Sequence, residues 1–304
     1  GNVVKTGTRR WPFRWLAIVV AIALLTNVAF LILVPSGGSA TVFSPLAESF
    51  GNGIYKVVSI GEQSVVIATL SNQLTVREQG EVKAQIDVPA AIFGLVYDPA
   101  RDAIIIGTSK GQVITYDRTL QQLSEAKVKG NVLGIGLMDN SQIAVAHGVG
   151  AYGDRFYVSV LDADGNEVSN YQVGIRLTTA SALESKAIYG TYEAQVGAVA
   201  TDGTPLWQTQ LRREITALRG WTDRNLVLAG DSVGNIYALD QNGNTVWEKN
   251  LTQFKIGDID PIGDDMIAVG DSDGGLFLLD PDGQMLLSQA SQNTRDPVVS
   301  IYQT

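Results

Sequence analysis

Three acidic turns have residue types and spacing that could do chemistry: Asp162–Glu167 (DADGNE), Asp271–Gly275 (DSDGG) and Asp280–Gln284 (DPDGQ). Carboxylates alternating around a glycine resemble the start of a calcium loop, where hard oxygen ligands gather around a divalent cation. Such a loop needs further oxygen ligands and a glutamate at its twelfth position, and these turns lack both. Asp-Gly and Asn-Gly steps have a plainer use, closing hairpins through a positive φ. Plain turns are therefore expected, with no metal and no cofactor assigned.

The second candidate is His147, the single histidine, in the Gly-rich stretch HGVGAYGDR of His147–Arg155. A catalytic base needs an oriented partner, and the sequence supplies none. A loop protruding from a scaffold is a natural contact surface, so His147, Tyr152 and Arg155 are read as a partner-contact loop. One histidine cannot build a multi-histidine metal site or a bis-histidine haem. With no cysteine in the chain, thiolate nucleophiles, disulfides and zinc–cysteine sites are excluded. No phosphate-binding P-loop pattern occurs. Asn250-Leu251-Thr252 fits a glycosylation acceptor, a three-residue match that arises often by chance. No catalytic residue is assigned.

These residues must be held by something ordered. The 304 residues are 45% hydrophobic and 17% charged, values of an ordinary globular chain with one or two domains. Charge is unevenly spread. Residues 1–34 hold Lys5, Arg9, Arg10 and Arg14 and no acid, which leaves 18 of the 22 Lys/Arg against all 31 Asp/Glu. That acidic remainder repels phosphate backbones, so nucleic acid is not an expected partner.

Trp15–Val34 (WLAIVVAIALLTNVAFLILV) is uncharged over twenty residues. As a helix it would be about 30 Å long, the thickness of a hydrocarbon core. The length favours an uncleaved transmembrane helix over a signal peptide, although SGGSA at Ser36–Ala40 imitates a cleavage site. Basic residues precede the segment and none follows before Lys56. The positive-inside rule then puts residues 1–14 in the cytoplasm and the remainder outside it, in a periplasm or its equivalent. Asn27 cannot be hydrated by lipid and favours a neighbouring helix. Ala23 shares its helical face, and Ala17 and Ala21 form a small-xxx-small pair on an adjacent one. Asn27, Ala23, Ala17 and Ala21 are thus the expected helix–helix contact to an integral membrane partner.

Beyond a linker at 35–53 the chain repeats itself. Ala229–Asp240 (AGDSVGNIYALD), Val269–Asp280 (VGDSDGGLFLLD) and Ile106–Asp117 (IGTSKGQVITYD) each place two apolar-alternating runs around a Gly-containing turn, a hairpin signature. Each hairpin follows an apolar run, and the six runs begin at Ile54, Ile92, Val132, Leu177, Ile215 and Ile256, 38 to 45 residues apart. A fourth strand follows, as in Thr245–Leu251 (TVWEKNL). Four strands in about 40 residues, repeated, make a propeller blade. A lone four-stranded sheet cannot bury both faces, whereas blades stacked around an axis can. The expected fold is all-β, a propeller of six complete four-stranded blades over 54–304. A β-sandwich is the rival, and it does not explain six similar units.

Asp240–Trp247 (DQNGNTVW) has the pattern D-x-x-G-x-x-x-W, and Thr201–Trp207 (TDGTPLW) keeps its Gly-to-Trp spacing. The chain here resembles the quinoprotein-type, or PQQ-like, propellers, over about Ile54 to Thr304. WD40 propellers are similar in period, but the Trp-Asp dipeptide is absent. The resemblance departs at Asp280–Leu287, with Leu for Trp, and at Asp162–Ser169, with Ser. It implies either a quinone-dependent dehydrogenase or a non-enzymatic scaffold of the BamB type. The typical enzymes of that group have eight blades, a calcium ion and a Trp beneath the quinone, and often a vicinal disulfide. This chain has about six blades, no cysteine and no recognisable calcium constellation.

The leading expectation is a non-catalytic scaffold or accessory subunit, docked on the extracytoplasmic face of a larger membrane complex. The alternatives are a ligand-binding sensor propeller and the quinone-dependent enzyme. Val298–Tyr302 resembles an innermost strand, so it is expected near the axis, starting a partial seventh blade beside the first, with Thr41–Ser44 as a possible outer strand. A closed six-blade ring is the rival.

Overall fold

The computed structural model describes residues 16–22, 28–34, 48–49, 54–61, 64–150, 155–289 and 298–303. Six four-stranded antiparallel sheets follow one another along the chain. Their first, innermost strands are Ile54–Gly61, Ile92–Asp98, Asn131–Leu137, Leu177–Leu183, Ile215–Trp221 and Ile256–Ile262. Among the described residues, helix is confined to short 3₁₀ turns such as Asp139–Ser141 and Thr222–Arg224. This is the six-blade propeller the repeats predict.

Burial explains the pattern of each blade. Second strands lie between two neighbouring sheets with both faces covered, so they read as continuous apolar runs rather than alternating ones. Ala103–Thr108 and Ile143–Gly148 are buried at every position. Fourth strands face solvent on one side and alternate, as Gln122–Lys127 and Pro205–Gln210 do. Each of the five interfaces between consecutive blades is filled by its own apolar cluster. Fully buried Ile104 and Ile106 pack between blades one and two, and Val227 and Ala229 between four and five. Each fully buried Ile, Leu or Val contributes about 1.5–3 kcal/mol.

The acidic turns are turns. Asp162 Oδ1 accepts from the backbone N–H of Asp164 (2.9 Å) and Asn166 (2.8 Å). Asp280 does the same with Asp282 and Gln284, and Asp271 with Asp273 and Gly275. Blades one, two and four solve the equivalent problem after their second strands with a threonine hydroxyl, from Thr69, Thr108 and Thr191. One oxygen acceptor at the end of a strand is what the turn requires, and Asp or Thr supplies it.

The D-x-x-G-x-x-x-W pattern links neighbouring blades. Trp207, on the fourth strand of blade four, donates its indole N–H to Gln241 O (2.9 Å) in the turn of blade five. Trp247 repeats this toward Pro281 O of blade six (2.9 Å). Each ring lies over the glycine of the turn it reaches. A Cβ on Gly243 would stand 2.5 Å from Trp207, and one on Gly283 2.9 Å from Trp247, and both glycines have positive φ. The pattern therefore needs Gly twice over, for the backbone and for the indole.

The expected transmembrane helix over 15–34 is not found. Leu16–Ile22 and Val28–Val34 are antiparallel strands paired with each other, and among the described residues no helix is long and apolar enough to cross a membrane. An uninterrupted run of Val, Ile, Leu and Ala suits a covered strand as well as a helix, and apolarity alone does not separate them. Leu16–Ile22 also pairs with Val298–Gln303, and Val28–Val34 with Glu48–Ser49. Val298–Gln303 lies against the innermost strands of blades six and one. Thr41–Ser44, the outer strand expected there, lies outside the described residues.

Candidate functional site

An antiparallel meander sends every connection of a given kind to the same end of the ring. Turns between second and third strands share one face with the links from each fourth strand to the next blade; this is the upper face. Turns between first and second, and between third and fourth, strands form the lower face.

The two faces differ in charge. Among the described residues, upper connections hold seven basic side chains, including Lys110, Lys129, Arg176 and Arg213, against three acidic ones, Glu193, Glu214 and Asp273. Lower connections hold twelve acidic side chains against three basic ones, Arg101, Arg118 and Arg224. Two of those arginines are tied down by carboxylates, Arg101 by Asp98 (2.6 Å) and Arg118 by Asp102 (2.5 Å).

Exposed apolar side chains divide the same way. Leu70, Val149, Tyr192 and Val233 stand on the upper face, and Tyr192 stays 51% exposed although the Arg176 guanidinium lies 5.1 Å above its ring. The other large exposed apolar residues, from Val82 to Leu286, lie on fourth strands around the rim. None of these described residues is on the lower face. Several acids of the lower face are held in their turns, among them Asp102, Asp117, Asp162, Asp202 and Asp280. Hydrogen bonds from the Asn166 side chain and the turn backbone hold the Asp162 carboxyl below the usual range, and Asn244 does the same for Asp240.

A channel of about 720 Å³ runs between the innermost strands of all six blades. Its wall is uneven. Blades two and three present Phe93, Leu133 and Leu137, while blades five, six and one present Arg219, Asp260, Asp258 and Lys56. Arg219 Nε donates to Ile259 O (3.2 Å) and is ion-paired with Asp260 Oδ1 (3.2 Å), and Lys56 stands 3.8 Å from Asp258. Tyr55 faces Phe93 edge-on at 6.2 Å. Burial, and then the charge of Asp258, push its hydroxyl up to about 12. These charges sit at the third and fifth positions of their strands, a signal present in the sequence and not used above.

The sequence-predicted residues fare unevenly. His147 is not on a contact loop. It is the last but one residue of the second strand of blade three, 1% exposed, with Nδ1 2.9 Å from Lys129 O, Nε2 2.9 Å from Ser159 Oγ, and Tyr157 stacked against it. Ser159 Oγ also lies 3.0 Å from Glu167 Oε2 and accepts from Asn170 (2.9 Å). Burial holds the imidazole below its usual value. Arg155 is exposed at the foot of the loop, where its carbonyl accepts from Val149 N–H. Tyr152, Asn27 and Ala23 lie outside the described residues. Ala17 and Ala21 lie in a strand, opposite Leu33 and Ser300 respectively. Among the described residues, no group of three or more His, Asp or Glu could hold a metal ion.

Comparisons with known proteins agree on the fold. A family model described as outer membrane protein assembly factor BamB matches residues 192–300, just over a third of the chain. Among solved structures the chain is similar to the WD40 β-propeller domain of Doa1, with TM-score 0.71 and 10% identity over 93% of this chain and 89% of that one. It is also similar to the computationally designed Ika8 protein, with TM-score 0.64 and 18% identity over 81% of this chain and 77% of that one. At such identities the likeness is one of fold. No curated protein sequence matches the chain.

Proposed function

We propose that this chain is a non-catalytic scaffold, a propeller that holds other proteins together on the extracytoplasmic side of a membrane complex. The observation that carries the proposal is the segregation of surface character on a rigid ring. One face is basic and partly apolar, and the other acidic with several of its carboxylates already fixed in turns. A disc with two unlike faces suits two unlike neighbours, and fixed side chains lose little entropy on docking. The match of residues 192–300 to the BamB model supports a protein-binding role.

Attachment to the membrane is part of the proposal. Residues 15–34 are uncharged and follow four basic residues. They can be covered by strand pairing or by lipid, and at a bilayer we assign them the second cover. Val298–Gln303, lying against both flanking blades, then closes the ring at a seventh position.

The test is purification of the full chain from membranes in mild detergent. A stoichiometric integral membrane protein should accompany it, and Asp202→Lys with Asp282→Lys should release that protein while the ring stays folded. A chain that leaves the membrane fraction in alkaline carbonate, with no partner, defeats the reading.

A second reading rests on the channel. Arg219 is anchored through Nε, and its remaining guanidinium nitrogens border a water-accessible space. A sensor for small anionic ligands would use that group. A quinone absorbance or calcium-dependent oxidation of an alcohol by the purified chain would favour the enzymatic alternative instead.

A further inference from the structure

We propose that the upper face of the ring rests on an anionic lipid surface, an inference that deepens the membrane-held reading above and rests on it. Two independent observations converge on that face, and the path of the chain agrees with them.

The first is charge. Lys110 projects from blade two, Lys129 from the link to blade three, Arg176 from the link to blade four, Arg213 from the link to blade five and Lys255 from the link to blade six, all exposed. They are spread around the ring rather than gathered in one groove. A planar array of anions satisfies such a distribution, because each basic side chain meets its own headgroup. An acidic patch on a protein would have to match it point by point.

The second is apolar exposure on the same connections. Leu70 is 65% exposed, Tyr192 51%, Val149 47% and Val233 39%. Isolated aliphatic and tyrosine side chains among basic ones are the composition of an interfacial membrane surface, where the apolar groups enter the headgroup boundary and the cations stay above it.

The path of the chain is consistent with both. The innermost strand of blade one starts at the upper face, because the links from one blade to the next all arrive there. With residues 15–34 given to lipid, as proposed above, the chain enters the ring from that side. The lower face, with its fixed carboxylates, points away from lipid and toward any protein partner.

The chain has no cysteine, so single labels can be placed cleanly. Val233→Cys and Gln253→Cys report on the upper face, and Asp202→Cys and Asp282→Cys on the lower. The full-length variants, each carrying an environment-sensitive fluorophore, are reconstituted into phosphatidylcholine vesicles with or without about one third phosphatidylglycerol, the proportion that makes a strongly anionic surface. Lipid-borne quencher should dim the two upper labels several-fold more than the two lower ones, and only with phosphatidylglycerol. Arg212→Gln with Arg213→Gln should weaken that quenching, and Arg212→Glu with Arg213→Glu should weaken it further, with thermal unfolding unchanged. If the chain binds the vesicles but all four labels stay equally aqueous, this proposal fails and the membrane-held scaffold survives. If the upper labels are shielded only after a membrane protein is added, the face belongs to a protein and the proposal is again overturned. A chain that does not associate with vesicles at all removes both readings.

Discussion

Blades four to six are fastened to one another differently from blades one to three. In the later half the fourth strands of blades four and five each carry a tryptophan that lies over the glycine of the next blade's turn and donates one hydrogen bond, from Trp207 to Gln241 and from Trp247 to Pro281. Trp221 adds a third such bond, to Gly263 of blade six. In the earlier half arginines act alone as clamps, whereas in the later half the clamp from Arg224 of blade five to Asp264 O of blade six is added to the indoles. Arg118 of blade two reaches back to Ile60 O in blade one, and Arg101 reaches forward to Ala163 O in blade three. The positions facing the turn glycines there are small, with Ala126 against Gly165 and Ser169 against Gly203. One topology thus tolerates two kinds of fastening, apolar area with one neutral hydrogen bond or a charged group on a carbonyl. The half fastened by tryptophan is also the half that the BamB model matches.

The largest expected effect comes from removing an indole. Trp247→Ala should lower the unfolding free energy by about 3 kcal/mol, near the lower end for losing a buried aromatic ring, as measured by denaturant titration. Trp247→Phe keeps most of the area and should lose about 1 kcal/mol with the hydrogen bond. If both variants cost the same, the hydrogen bond rather than the ring is the fastening.

A smaller effect is expected in the earlier half. Arg118 is about one third exposed, so Arg118→Met should cost only about 1 kcal/mol once solvent screening is allowed for. Its cost should shrink in 0.5 M salt, an ionic strength at which the Debye length falls to about 4 Å, while the cost of Trp247→Ala should not. Equal salt dependence in the two halves would erase the distinction between them.

The smallest effect is in pH dependence. Burial lowers the His147 imidazole below its unfolded value of about 6.5. The unfolded chain therefore takes up the proton first. Stability is full above that value and declines as pH falls through 6 toward the lowered folded value. His147→Gln should flatten the fall in melting temperature that sets in as pH drops below about 6.5. The turn carboxylates of Asp162 and Asp240 are depressed as well. Their contribution is full above about pH 4 and is lost only as pH falls below it, so the two windows separate.

Much of the ring was legible because its signals are local. The six apolar runs mark the six innermost strands, and the Gly and Trp of D-x-x-G-x-x-x-W mark a contact between neighbours. The arginine clamps have no such signature, since Arg118 and Ile60 are 58 residues apart and meet only once the blades are stacked. His147 misled because glycines follow it, yet Ile143, Val145 and His147 continue a strand that is covered on both faces. Residues 15–34 are not legible in this way, since an unbroken apolar run does not state its own secondary structure. The contrast between faces was hidden because the charges that form it alternate along the chain from one end of the strands to the other. Only the meander sorts them.

The cluster around Ser159 has a further consequence, which concerns direction. The Nδ1 atom of His147 faces a carbonyl, so it carries a hydrogen. In the neutral ring Nε2 is then bare and accepts the single hydroxyl hydrogen of Ser159, leaving Glu167 to the amide of Asn170. When the ring gains a proton, Nε2–H donates instead, and the same hydroxyl turns to Glu167. A charge taken up between two sealed sheets is thereby answered at an exposed carboxylate by the swing of one O–H, with no heavy atom displaced. Blade three holds a relay one hydroxyl long, and the sense in which it points records the protonation of a residue that solvent does not touch.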